Sequence, residues 1–134
     1  MRRILVFLGL AVAAAALVEL LRRLVSYEIA DHSMAPTLQP GDWVLGLRAR
    51  NARRGDVVVF AHPLRPGFEM VKRVAAAAGE DMGRVTLGAG EMWVLGDNPD
   101  AGSVDSRVLG PVRAEWLRAR LFLRYHPGPV TPIR

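Results

Sequence analysis

The chain has 134 residues, a formal net charge of +5 and no cysteine. That length holds one modest core beside any anchoring segment, and the missing cysteine excludes a disulfide framework, a thiol nucleophile and a thiolate metal site. The basic charge is arginine at every position but one, scattered in runs no longer than two. Without interleaved aromatics it does not argue for nucleic acid, and attraction to anionic headgroups is the simpler reading.

The first predicted element is Ile4–Leu21, "ILVFLGLAVAAAALVELL", with Glu19 as its one acid. As a helix it is about 27 Å long, enough for a hydrocarbon core. A signal peptide cleaved near Ala13–Ala16 and a buried core helix are the competing readings. The apolar run continues past those alanines, and its charges lie at the ends with no polar face, so an uncleaved single-pass anchor over residues 1–25 is expected. Arg2 and Arg3 precede it, Arg22 and Arg23 follow, and charge alone does not orient it. Glu19 stands about one turn from Arg22 and Arg23 and is placed to pair with either.

From Tyr27 onward short, often alternating runs are punctuated by Gly and Pro. Strands are expected at 42–50, 55–62, 68–77, 84–87, 91–96 and 117–125, with 84–87 and 91–96 flanking Gly88-Ala89-Gly90 as a hairpin. The segment 114–123 also reads as a short helix. The fold class is therefore mainly β: one transmembrane helix, a compact antiparallel domain over 26–126, and an irregular proline-rich tail over 127–134.

Ser33 lies in a turn marked by Pro36, Pro40 and Gly41, where a serine is ordinarily a turn former. As a nucleophile it needs a base. His32 is its sequence neighbour and points to the opposite face of an extended chain, while His62 and His126 lack a nearby Asp. Lys72, the only lysine, shares a strand face with Met70 and Val74 in "EMVKRV". Burial on that face lowers the pKa of a lysine, which no arginine can match. The competing reading has Lys72 reaching out to the surface. Further on, "GDNPDAGSVDSRVLGPV" joins a strong turn signal to an Asp105/Arg107 pair able to stiffen a loop. Asp97 and Asp100 lack the spacing of a calcium loop, so no metal and no cofactor is expected.

Taken in order, "SMAPTL", "RGDVVVF", "VKRV" and "GDNPDAGSVDSRVLGPV" resemble the type I signal peptidases, membrane-anchored serine endopeptidases with a Ser/Lys dyad, over roughly residues 27–125. The resemblance implies Ser33 as nucleophile and Lys72 as general base. It further implies Ser103 hydrogen-bonded to the lysine, Asp105 and Arg107 as a supporting ion pair, and a β catalytic domain on the extracytoplasmic side. Its partners would be precursors carrying signal or leader peptides, and the lipid bilayer. The substrate would add as a strand beside 28–32 and 69–71, over a groove floored by Ile29, Met34 and Val71 that suits small residues.

Three departures stand out. Asp31 occupies the position where that family often has a small residue or a serine as oxyanion donor, so the hole would rest on backbone N–H groups including that of Ser33. The loop from Gly96 to Arg107 is one residue longer than usual. The short interval between Lys72 and Gly96 leaves no room for a large inserted β domain, making this a minimal core. In size it is similar to the small members that mature nickel-type superoxide dismutase, which suggests a dedicated protease as an alternative. A non-catalytic, membrane-tethered β module is the alternative from another class.

Overall fold

The computed structural model describes all 134 residues, the side chain of Arg2 excepted. Helix α1 runs Arg2–Arg23. No proline interrupts it, and Ala and Leu dominate its interior, so nothing in the sequence breaks the ladder. Its segment Arg3–Arg23 is long and apolar enough to cross a membrane, and none of that segment is buried against the rest of the chain. Glu19 pairs with Arg23 at 3.1 Å, one of the two partners expected.

Strand β1 (Leu24–Glu28) begins on the residue after α1 ends. It is followed by β2 (Trp43–Arg48), β3 (Val57–Ala61), β4 (Glu69–Ala76), β5 (Asp81–Met82), β6 (Val85–Thr86), β7 (Glu91–Leu95), the short helix α2 (Ser106–Leu109), β8 (Val112–Arg113), β9 (Leu117–His126) and β10 (Thr131–Pro132). Every pairing is antiparallel, and the main sheet has the order β1-β2-β9-β3-β4-β7-β8, with β10 beside β9. The expected antiparallel fold is therefore present.

Strand β3 lies inside the sheet, and its run Val57–Phe60 is buried on both faces, as a continuous apolar run demands. One face packs Val57 and Val59 with Ile29, Met34, Leu38 and Val44; the other packs Val58 and Phe60 with Met70, Val74, Met92 and Val94. Cross-strand partners form one continuous rung, Leu24–Leu47–Arg120–Val58–Lys72. The first residue after α1 and the only lysine thus share a level of the sheet.

Three expectations are corrected. Val85–Thr86 pairs with Asp81–Met82 across Gly83, whose φ of +67° suits a tight turn, and does not form a hairpin with 91–96. Leu87 closes that local hairpin through bonds with Gly79 and Glu80, and Glu91–Leu95 pairs instead with β4 and β8. The segment 114–123 makes one 3-10 turn, Ala114–Trp116, before β9, so its helical reading fails. In the proline-rich tail, Thr131–Pro132 pairs with Leu123–Arg124, and Ile133 packs on the core.

Candidate active site

The Ser33 turn is an excursion between β1 and β2. Its base is closed by Ile29 N–H donating to Asp42 O (2.9 Å) and Gly41 N–H donating to Ile29 O (2.8 Å). Met34 and Leu38 sink into the core and hold the turn down. Ser33 itself is 2% exposed.

Lys72 comes from β4, where Met70, Lys72 and Val74 alternate inward as the sequence pattern predicts. It is 2% exposed, so the surface-reaching alternative is excluded. Its Nζ lies 2.8 Å from Ser33 Oγ and donates to Val71 O at 2.9 Å. Burial pushes the amine down from its ordinary pKa, against a smaller upward pull from the charges of Asp31 and Asp105. A neutral amine has two N–H groups and one lone pair. With Val71 O taking one N–H, the lone pair is free to accept the serine proton.

The loop after β7 is stitched to this turn. Asn98 N–H donates to Ser33 O (3.0 Å), and Asn98 Nδ2 donates to His32 O (3.1 Å). Thr37 Oγ1 donates to Asp97 Oδ2 at 2.6 Å. Arg73 grips the same carboxylate with Nε (2.8 Å) and Nη2 (2.6 Å), a bidentate clamp between β4 and the loop. Gly96 is required by contact: a methyl group there would stand 2.7 Å from Ser33 O and 3.0 Å from Ser103 Oγ.

Asp105 is fully buried and accepts from Gly96 N–H (3.2 Å), Arg107 N–H (3.0 Å) and the Arg107 guanidinium (2.7 Å), so the ion pair implied by resemblance is formed. Burial alone would raise its carboxyl. The Arg107 guanidinium and the two backbone donors outweigh this and hold it below the usual carboxylate range.

Two details differ from expectation. Ser103 Oγ is buried and has no hydrogen-bond partner, so the implied bond to Lys72 is not made; Val71 O takes that N–H instead. The Ser33 N–H, expected to be free for an oxyanion, donates to Asp31 Oδ1 at 2.8 Å. Burial raises the Asp31 carboxyl, but hydrogen bonds from Ser33 and the charges of Lys72 and His32 bring it below its ordinary value.

Beside Lys72 lies a cavity of about 140 Å³ whose lining includes Ile29, Met34 and Val71, the three expected groove residues, together with Asp31 and Met70. One wall is an unpaired length of β4. Strand β7 pairs only with Arg73, Val74 and Ala76, leaving Glu69–Lys72 open on that side. Sequence reasoning missed the Arg73–Asp97–Thr37 clamp. The one available signal was Arg73 facing away from Lys72, toward the side where the "GDN" loop arrives.

Against this geometry the family can be stated. A model described as signal peptidase, peptidase S26, matches residues 1–86, and the chain belongs to that family of proteases. It is similar to mitochondrial inner membrane protease subunit 1 of Schizosaccharomyces pombe, 34% identical over 72% of this chain and 70% of that protein. The same subunit from Mus musculus is 31% identical over 71% of this chain and 65% of its own length. Signal peptidase I of Aquifex aeolicus is 36% identical over 41% of this chain but only 23% of that enzyme.

The Asp97 clamp carries a stability prediction. Burial raises its carboxyl, yet the Arg73 and Thr37 bonds and the charge of Arg73 hold it below the usual range. A folded-state value below the unfolded one contributes stability above the ordinary carboxylate pKa, and that stability is lost as pH falls through the depressed value. Asp97→Ala is expected to cost about 2 kcal/mol at neutral pH and less in strong acid, read by urea unfolding at both.

Proposed function

We propose that the chain is a membrane-anchored serine endopeptidase that removes signal or leader peptides from exported precursors, with Ser33 and Lys72 as its catalytic dyad. The observation that carries it is the 2.8 Å contact between Ser33 Oγ and a buried Lys72 Nζ of depressed basicity. Neutral Lys72 takes the proton of Ser33 Oγ as the oxygen attacks the scissile carbonyl. The ammonium so formed protonates the leaving amine, and the acyl-enzyme is hydrolysed by water that Lys72 deprotonates.

The precursor adds as a strand against the open side of Glu69–Val71, with residues 28–32 as the facing wall. The small, apolar-lined cavity suits small side chains next to the cut. Helix α1 holds residues 26–126, the catalytic domain, at the extracytoplasmic surface of the membrane. Asp105 and Arg107 brace the loop beneath the site. Ser103, buried and unpaired, offers an acceptor to the third N–H that Lys72 gains as an ammonium. Ser103→Ala therefore lowers kcat about tenfold with KM unchanged, well short of a lost base.

The test is to incubate the purified full chain with a panel of secretory precursors and sequence the new N-termini. Cleavage after small residues, lost in Ser33→Ala, supports the proposal. Intact precursors across the panel, with a nickel-type superoxide dismutase leader included to cover a dedicated protease, from a chain with a cooperative unfolding transition, reject it in favour of a non-catalytic tethered module.

A further inference from the structure

The catalytic proposal leaves unused a cavity of about 680 Å³ lined by Arg23, Arg48, Arg50, Arg118 and Arg120, with Asn51 beside them. Antiparallel register assembles it. The end of α1, the end of β2 and the start of β9 meet at one end of the strands, because Leu24 opposes Leu47 and Leu47 opposes Arg120. Three carboxylates reach these arginines: Glu19 to Arg23 (3.1 Å), Asp56 to Arg120 (3.6 Å) and Glu69 to Arg118 (3.9 Å). None of the three lines the cavity, and Arg48 and Arg50 have no ion pair among the described residues. The site therefore holds an excess of at least two positive charges.

We infer that this cavity binds the phosphodiester headgroup of an anionic phospholipid. Guanidinium forks match phosphate oxygens in pairs, and five around one space suit a phosphodiester better than a lone carboxylate. Position selects the lipid as the source. Arg23 is both the last residue of the apolar helix and part of the wall, so the cavity opens where that helix leaves the bilayer. The inference rests on α1 being a membrane anchor.

The full chain in nonionic detergent is titrated by calorimetry with dihexanoyl phosphatidylglycerol, with dihexanoyl phosphatidylcholine and with inorganic phosphate. Phosphatidylglycerol should saturate a single site at least about tenfold more tightly than phosphatidylcholine. Arg48→Gln/Arg50→Gln should weaken it by about tenfold or more. Arg84→Gln/Arg113→Gln, an equal charge loss elsewhere on the surface, should change it by less than about twofold. Equal affinity for the two lipids, or equal loss in the two double variants, overturns the inference. Inorganic phosphate that competes at the same concentrations as phosphatidylglycerol overturns the lipid as source. Resistance of the full chain to alkaline carbonate extraction from membranes tests the anchor separately, and precursor cleavage tests the peptidase, so each failure is recognised on its own.

Discussion

With Lys72 as the proposed base, Lys72→Met should give a folded, inactive protein, with kcat on a precursor peptide lowered by about 10³-fold or more. Methionine fills nearly the same volume and carries no proton-accepting nitrogen. Lys72 is 2% exposed among Met70 and Val74, so methionine also removes the cost of burying an amine, and the thermal midpoint should hold or rise. Lys72→Arg should be equally inactive and less stable, because the guanidinium stays charged in the same space. Cleavage within tenfold of the parent in either variant excludes a lysine base.

The pH dependence has a definite sign. Only the unprotonated amine accepts the Ser33 proton, so kcat/KM rises with pH until it passes the depressed folded-state pKa of Lys72, and then levels off. Between that value and the ordinary lysine pKa the unfolded chain binds a proton that the folded one does not. Stability therefore rises with pH across that window, and Lys72→Met removes the slope. A profile flat from mildly acidic to alkaline pH is incompatible with this chemistry.

Asp31→Ser should raise kcat by about 10²-fold, the scale of one oxyanion donor. The Ser33 N–H donates to the Asp31 carboxylate at 2.8 Å, and in the proposed mechanism that N–H is a donor to the developing oxyanion. A substrate has to displace that carboxylate, whereas serine leaves the N–H free and brings a hydroxyl donor of its own. The charge has a second effect. Asp31 pulls the Lys72 pKa upward, so removing it moves the rising limb of the pH profile toward lower pH. Asp31→Asn separates the two: its side-chain oxygen still accepts from Ser33, so the limb moves while kcat changes little. A rate that falls in Asp31→Ser means that the carboxylate assists the reaction, and a limb that stays put in both variants means that its charge does not set the Lys72 pKa.

Much of the fold was legible because its signals are local. The apolar run with charged ends marked α1, and the two-residue alternation around Lys72 placed its side chain inward. The strand expected at 55–62 is present as Val57–Ala61. The hairpin at 84–96 was misread because Gly83 and Gly88–Gly90 both signal turns, and local signals do not say which strand finds which partner. The choice was made by β4, whose free edge at Arg73–Ala76 offered β7 a long neighbour. The site divides the same way. Ser33 and Lys72 were readable as residue types in suitable settings. The clamp of Thr37 and Arg73 on Asp97 joins residues 60 and 24 apart, and spacing along one chain carries no distance of that kind. That Asp31 covers its neighbour's N–H two residues on depends on a backbone bend that turn residues announce without specifying.

The junction between α1 and β1 has a mechanical consequence. Arg23 ends the helix and Leu24 starts the sheet, so no loop separates the two, and a single rung runs from that junction to Lys72. Four strand spacings along that rung come to roughly 19 Å. With α1 in a bilayer, so short a connection would narrow the range of depths open to the proposed cleft. Thickening the bilayer, or splicing a few glycines between Arg23 and Leu24, would then change which bond of a precursor reaches the serine without altering any residue of the cleft.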